Sequence, residues 1–224
     1  MKLHTVFITY NRLELTKQAI ESYLETVSVP FTLAVVDNAS TDGTADWIKD
    51  FCENTYVIGP QDPYDFYIMP SNVYPGPATN FGWSVAPLDA THLHRADNDF
   101  AFLPGWCEEV ERIFQADKVG QVGLRTDEEE CFARWNVGGN NVIRRELWDQ
   151  GLRYDERPWP EYPPGYSEDS YFSPSIVQMG YTWTRVKRPC IRSLSQESWD
   201  DPYYRDSWEA RGMSRPEDSS PATR

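Results

Sequence analysis

Histidine, basic charge and closely spaced cysteine are all scarce in this chain. Its 224 residues include 3 His and 4 Cys. Cys52, Cys107, Cys131 and Cys190 are too widely spaced for a CxxC pair or a Cys/His cluster, which argues against structural zinc. Lys and Arg number 21 against 35 acids, a formal charge of −14 that argues against a generic nucleic-acid-binding surface. No apolar run is long enough to span a membrane, and Met1 to Phe7 runs into a strand without an apolar leader. We therefore expect no transmembrane helix or signal peptide, and a cytoplasmic protein with reduced thiols. No GxGxxG follows the first strand and no GxxxxGK(S/T) occurs, which disfavours ordinary dinucleotide binding and a P-loop kinase. No internal repeat appears at solenoid or propeller periods.

What is present points to one α/β domain. The hydrophobic fraction is 40% and the aromatic fraction 14%, which excludes wholesale disorder. Thr5 to Thr9 is a short apolar strand. Between Leu13 and Val27, residues Leu15, Ala19, Ile20, Tyr23, Leu24 and Val27 fall on one helical face. Thr32 to Asp37 is apolar through its middle, as buried parallel strands are. Asp42-Gly43-Thr44 opens a helix with Ile48, Phe51 and Cys52 inward, and Tyr56 to Ile58 is a third candidate strand. This alternation predicts a parallel sheet with helices on its faces. Gln61 to Pro77 reads as a loop, Ala78 to Val85 as a helix and Thr91 to Ala96 as a strand. A helix beginning at Pro104 or Gly105 follows, then strands over Gly120 to Arg125 and Val137 to Ile143, and a helix from Arg144 to Gln150 stopped by Gly151. Proline-rich Arg157 to Gly165 reads as a loop leading to a helix capped by Ser167, and Thr182 to Lys187 as the last core strand.

The chemistry concentrates in Arg95-Ala96-Asp97-Asn98-Asp99-Phe100. Side chains i and i+2 of an extended chain point to one side, so Asp97 and Asp99 are expected to converge on one hard cation with positions left open for a diphosphate. Three further segments flank this pair. Thr9-Tyr10-Asn11-Arg12 follows the first strand, and Val35-Val36-Asp37-Asn38-Ala39-Ser40-Thr41-Asp42-Gly43-Thr44 follows the second. Gly76-Pro77-Ala78-Thr79-Asn80-Phe81-Gly82 precedes the pair, and Ser167-Glu168-Asp169-Ser170 comes well after it. In this order the motifs resemble those of the GT-A fold glycosyltransferases, family 2, over roughly residues 3 to 187.

The resemblance implies a single-domain GT-A fold: a Rossmann-like, nucleotide-sugar-binding mixed sheet with helices on both faces. It implies transfer of a sugar, with inversion, from a nucleotide-diphosphate sugar to an acceptor hydroxyl, assisted by Mn²⁺ or Mg²⁺. A UDP-sugar is favoured over a GDP-sugar. The acceptor stays open among a glycan, a protein and a modified nucleic-acid base. By resemblance, Asp99 binds the ion directly, while Asp97 contacts ribose or binds through water. Asp169 of the acidic pair is the general base, with Glu168 beside it. Thr9, Asn11, Arg12, Asp37, Asn80 and Gly82 belong to the donor side.

Each position also has a plainer reading. Asp37 suits an Asx-turn or helix cap. Asn11 suits an N-cap, Arg12 a solvated side chain, and Gly82 close helix packing. Glu168 and Asp169 suit the positive end of a helix dipole. The aromatic residues of the C-terminal half, Trp159, Tyr162, Tyr166, Trp199, Tyr203 and Trp208, suit either stacking on sugars or bases, or stapling of loops.

Three departures from the family pattern stand out. The strand before the Asp pair carries His94 and Arg95, whose direction the sequence leaves open. No His follows His94, so Arg192 is a candidate replacement for a C-terminal metal-binding histidine. The chain is also short. Residues 1–188 are expected to form the catalytic domain, 189–213 an aromatic and polar extension packed on it, and 214–224 a disordered tail. The competing classes are a non-catalytic nucleotide-sugar binder and a glycoside hydrolase, which also needs paired carboxylates.

Overall fold

The computed structural model describes residues 1–54, 64–126, 136–163 and 166–195, with Arg205, Trp208, Glu209 and Met213. The candidate strand at Tyr56 to Ile58, Cys131, Trp199, Tyr203 and the tail from 214 lie outside the described residues.

The N-terminal half alternates strand and helix as predicted: β1 (Leu3–Thr9), α1 (Leu13–Thr26), β2 (Phe31–Asp37), α2 (Thr44–Asn54), β3 (Tyr64–Ile68), α3 (Pro75–Ser84) and β4 (His92–Asp97). Then come β5 (Phe100–Phe102), α4 (Trp106–Ile113), β6 (Val119–Gly123), β7 (Asn141–Arg144) and α5 (Arg145–Asp149). A 3-10 turn (Trp159–Glu161), α6 (Asp169–Gln178), β8 (Thr182–Arg185) and β9 (Ile191–Ser193) complete the order. Seven strands form one sheet in the order β3-β2-β1-β4-β7-β6-β8. β1 to β4 are mutually parallel, and β7 is antiparallel to both its neighbours, so the sheet is mixed.

Alternation along the central strands divides the core. Leu3 and Phe7 of β1, with Leu33 and Val35 of β2, face Ala19, Ile20 and Tyr23 of α1, Ile48 of α2 and Trp106 of α4. Val6 and Ile8, with Ala34 and Val36, face Ala78 and Trp83 of α3, Leu147 of α5 and Phe172 of α6. Fully burying a side chain of this kind contributes about 1.5–3 kcal/mol. Both helix layers are therefore fixed to the sheet, and the loops at its carboxyl edge inherit rigid anchors.

Two expectations are corrected here, and a third feature is added. β3 lies within Gln61 to Pro77, which reads as loop from sequence; it pairs in parallel with β2 at the sheet edge and is only half-buried. Ser167 does not cap α6, because the cap position is Glu168 and no side chain caps it. Beyond residue 188 the chain returns to the core: β9 pairs antiparallel with β5, and Cys190 and Ile191 are buried.

Candidate active site

The chain moves outward from β1 to β2 to β3, then α3 carries it back to place β4 on the other side of β1. The carboxyl ends of β1 and β4 therefore flank a topological switch point, where open α/β sheets form a ligand crevice. Thr9, Asp37 and Asp97 end three adjacent strands there.

The first two loops are tied to each other. Asn11 and Arg12 have left-handed backbones, at φ 55° and 66°, and so does Ala39 at φ 63°. Such conformations persist in non-glycine residues only where surrounding contacts hold them. Here the Asn11 N–H donates to Ser40 Oγ at 2.7 Å, Thr41 N–H to Asn11 Oδ1 at 2.8 Å, and Leu13 N–H to Asp42 Oδ2 at 3.1 Å. Asn11 thus braces the second loop, and the residue at the N-cap of α1 is Arg12. Asp42 also accepts from the N–H and hydroxyl of Thr44 at the start of α2. Burial opposes its ionised form, but the bonds from Thr44, Leu13 and Arg12 prevail and hold it below the usual carboxylate range.

Asp37 is fully buried and closes the Asx-turn. Its Oδ1 accepts from Thr9 Oγ1 at 2.9 Å and from the Ser40 hydroxyl, and its Oδ2 accepts from Ser40 N–H at 2.8 Å. Thr9 is equally buried, with its hydroxyl on Asp37. The turn reading is therefore realised for Asp37, whatever else the carboxylate contacts.

Asp97 and Asp99 differ from the extended geometry expected of them. β4 ends at Asp97, and Asn98 and Asp99 form a turn into β5. Asp99 Oδ2 accepts from Arg12 Nη1 at 3.0 Å and from Ser195 Oγ at 3.3 Å. Leu194 N–H donates to the Asp99 carbonyl at 2.8 Å, so the segment after β9 closes over this turn. Asp97 Oδ1 accepts from Arg95 Nε at 3.2 Å, and its backbone N–H donates to Asn140 Oδ1 at 3.0 Å. Burial raises the Asp97 carboxyl, Arg95 pulls it back, and Asp99 adds to the rise; the net shift is upward. The Asp97 side chain keeps 28% of its surface accessible. A Cβ on Gly139 would sit 2.0 Å from Asp97 Oδ2 and 3.0 Å from Arg95 Nη2; only glycine leaves room for this carboxylate.

The residue that organises the site is Arg95. It is 3% exposed, and its Nη1 donates to Glu168 Oε1 at 3.1 Å and to Asp169 Oδ1 at 3.0 Å. Its guanidinium carbon lies 5.2 Å from the Tyr154 ring centre. Tyr154 is held by Asn141 Nδ2 on its hydroxyl at 2.9 Å and by stacking on Phe172 at 3.7 Å. Burial disfavours the charged guanidinium, but Asp169, Asp97 and Glu168 outweigh it and keep Arg95 protonated. Removing one partner from a buried ion pair of this kind costs about 3–5 kcal/mol. Glu168 Oε2 accepts from Trp159 Nε1 at 3.0 Å, and Trp159 packs on Tyr74 with centroids 5.4 Å apart. Asp169 is in the first turn of α6, so the helix-dipole reading also holds for it. His94, the neighbour of Arg95, points to the opposite face, against Tyr23 and Trp106.

The remaining sequence-derived positions have other tasks. Gly82 lies against mid-sheet: a Cβ there would come 2.4 Å from Val6 Cγ1 and 3.2 Å from Val36 Cγ2. The missing Cβ lets α3 pack closely on the sheet, so the helix-packing reading holds for Gly82. Asn80 is buried, donating to the Tyr154 carbonyl and Glu156 and accepting from Tyr154 N–H at 2.9 Å. Its amide staples the chain after α5. Arg192 is exposed on β9, and the arginine that meets Asp99 is Arg12. Sequence reasoning left Arg95 undecided and missed Asn140, Gly139 and Tyr154. The available signal was spacing: Arg95 and Asp97 are i and i+2 on one strand and share a face.

Comparison with known proteins adds the family. A model described as glycosyl transferase family 2 matches residues 5–167. Among solved structures, the mannosyltransferase PcManGT from Pyrobaculum calidifontis, in complex with GDP-Man and Mn²⁺, superposes with a TM-score of 0.71 at 18% identity. That match covers 94% of this chain and 60% of that one. S. aureus TarS 1-349 in complex with UDP-GlcNAc superposes with a TM-score of 0.66 at 14% identity, over 88% of this chain and 60% of that one. The chain thus spans about three-fifths of the length of these two structures. No curated protein matches the sequence.

Proposed function

The chain belongs to glycosyl transferase family 2, with the GT-A fold, and from that premise we propose an inverting hexosyltransferase that uses a nucleoside-diphosphate sugar and Asp169 as its base. The observation that carries the reading is the convergence on Arg95. Asp97, from the donor-side motif, and Glu168 and Asp169, from the acceptor-side pair, meet at one buried guanidinium. An acceptor hydroxyl deprotonated by Asp169 attacks the anomeric carbon as the bond to the diphosphate breaks. A single displacement of this kind inverts the configuration. A carboxylate near its ordinary pKa is a weak base in water, and fixed position raises its usefulness.

The residues fit a divalent cation. Asp97 and Asp99 offer oxygen donors, which hard cations prefer. Asp99, with Asp97 directly or through water, would hold Mn²⁺ or Mg²⁺, which when bound screens the diphosphate as negative charge develops. Arg12, now on Asp99, competes for that carboxylate. Thr9, Asn11, Arg12 and Asp37 line the donor side in this reading. We favour a UDP-sugar over a GDP-sugar, and the acceptor class is a glycan, a protein or a modified base. Among the described residues no helix is long and apolar enough to cross a membrane, and Cys52, Cys107 and Cys190 are free thiols, which supports a reducing, cytoplasmic setting.

The test has three arms. Melting with UDP-GlcNAc and GDP-mannose, each with and without Mn²⁺, identifies the donor, since a ligand raises apparent stability by mass action. Asp169→Asn should keep donor affinity and lose about 10²-fold or more in turnover. Proton NMR of the product linkage should show inversion; retention would overturn the displacement mechanism.

A further inference from the structure

Arg95 is an odd residue for its place. It lies in the middle of a seven-stranded sheet, on a strand otherwise paired on both sides, and is almost wholly removed from solvent. Its partners come from two separate motifs. Nε reaches Asp97, two residues along its own strand, while Nη1 divides between Glu168 and Asp169 on the far side of the chain. The guanidinium is fixed from beneath by the Tyr154 ring, and Gly139 leaves it and Asp97 the room they occupy. A planar fork with fixed donor directions sets where a carboxylate oxygen lies, which a flexible ammonium does not. Asp169 enters at the first turn of α6, with its Oδ1 accepting from that guanidinium at 3.0 Å.

We propose that Arg95 is a positioning residue of the transfer reaction: its guanidinium orients the Asp169 carboxylate toward the acceptor oxygen and locks it in register with Asp97 on the donor side. This rests on the assignment of Asp169 as base. Arg95 takes no proton and touches no reacting atom; it acts through Asp169. Its removal should therefore matter only while Asp169 can act.

A double-mutant cycle on the full chain separates that from a scaffold role. Slow donor hydrolysis provides the readout without a known acceptor. Water attacks the anomeric carbon, the carbon–oxygen bond to the diphosphate breaks, the proton passes to Asp169, and nucleoside diphosphate is released. The probes are UDP-GlcNAc and GDP-mannose with Mn²⁺. Arg95→Lys keeps the charge but cannot reach both motifs at once. We expect its donor KM to stay within about threefold and kcat to fall about tenfold or more, the scale of a misplaced reacting group. In the Asp169→Asn background the same change should cost less than about twofold, because residues acting as a unit are not additive. Equal losses in both backgrounds, or full kcat in Arg95→Lys, would overturn the proposal. Arg95→Gln is carried through the same cycle should the lysine variant misfold, and failure of both to fold would assign Arg95 to the scaffold and also overturn it. A fully active Asp169→Asn would instead remove the base assignment itself.

Discussion

Lowering the pH from 7 to 5 is expected to cost the fold about 4 kcal/mol through two buried histidines. His94 is completely buried on β4, with Nδ1 3.1 Å from Thr5 Oγ1 and its ring against Tyr23, Phe102 and Trp106. Its Nε2 has no hydrogen-bond partner among the described residues. Burial holds its pKa down to about 3. His4 on β1 is 2% exposed and bonded to the Gly82 carbonyl, and burial holds it down to about 4 despite that bond. In the unfolded chain both protonate near 6.5. Between that value and their folded pKa values the unfolded state binds more protons, so stability is full above pH 6.5 and falls as the pH drops below it. The slope is about 1.4 kcal/mol per pH unit for each histidine, or about 2 kcal/mol each at pH 5. That total is a large part of the roughly 5–15 kcal/mol by which domains are stable. Asp97 works in the opposite direction, since a raised folded pKa adds stability as pH falls. Urea unfolding of the wild type and His94→Phe at pH 7 and pH 5 isolates the histidine. The variant should lose about 2 kcal/mol less than the wild type between the two pH values. Equal losses would refute the account of His94 as a buried neutral ring.

Two glycines give sharper contrasts. Gly139→Ala places a methyl on the Asp97 carboxylate. It should reduce donor turnover by about 10-fold or more while shifting the melting temperature little, because misplacing a reacting group by about 1 Å is costly to rate; enzyme assays and melts on one preparation decide. Gly82→Ala drives its methyl into Val6 in mid-sheet and should lower stability by about 1–3 kcal/mol, as overpacking does, with donor KM unchanged in the folded fraction.

The alternation of apolar strand and amphipathic helix made the first half of the sheet legible, and with it the carboxyl-edge positions of Thr9, Asp37 and Asp97. Other features were not legible for local reasons. Tyr64 to Ile68 is an edge strand of mixed polarity beside Pro63, so it lacks the continuous apolar run of a buried strand. Asn98 and Asp99 favour turns, and β4 ends at Asp97, before them. Asn80 and Gly82 fit a motif by spacing, but burial decides whether a side chain meets a ligand or a neighbour. Whether Arg95 or His94 would face the acids depended on which side of β4 each element packed, which no single strand encodes.

The Asp99 carboxylate is met by Arg12, 87 residues before it, and by Ser195, 96 residues after it. A ribosome adding about 5–20 residues per second delivers Ser195 roughly 5–20 seconds after Asp99. During that interval β5 has no β9 beside it, and the turn carrying Asp99 lacks the bond from Leu194. Until those residues are made, the exposed edge of β5 has no strand beside it and Asp99 has no bond from Ser195. Unpaired edges of that kind invite pairing with other chains. In the reading proposed above, a chain ended before β9 would lack the contacts from Leu194 and Ser195 that hold the Asp99 turn.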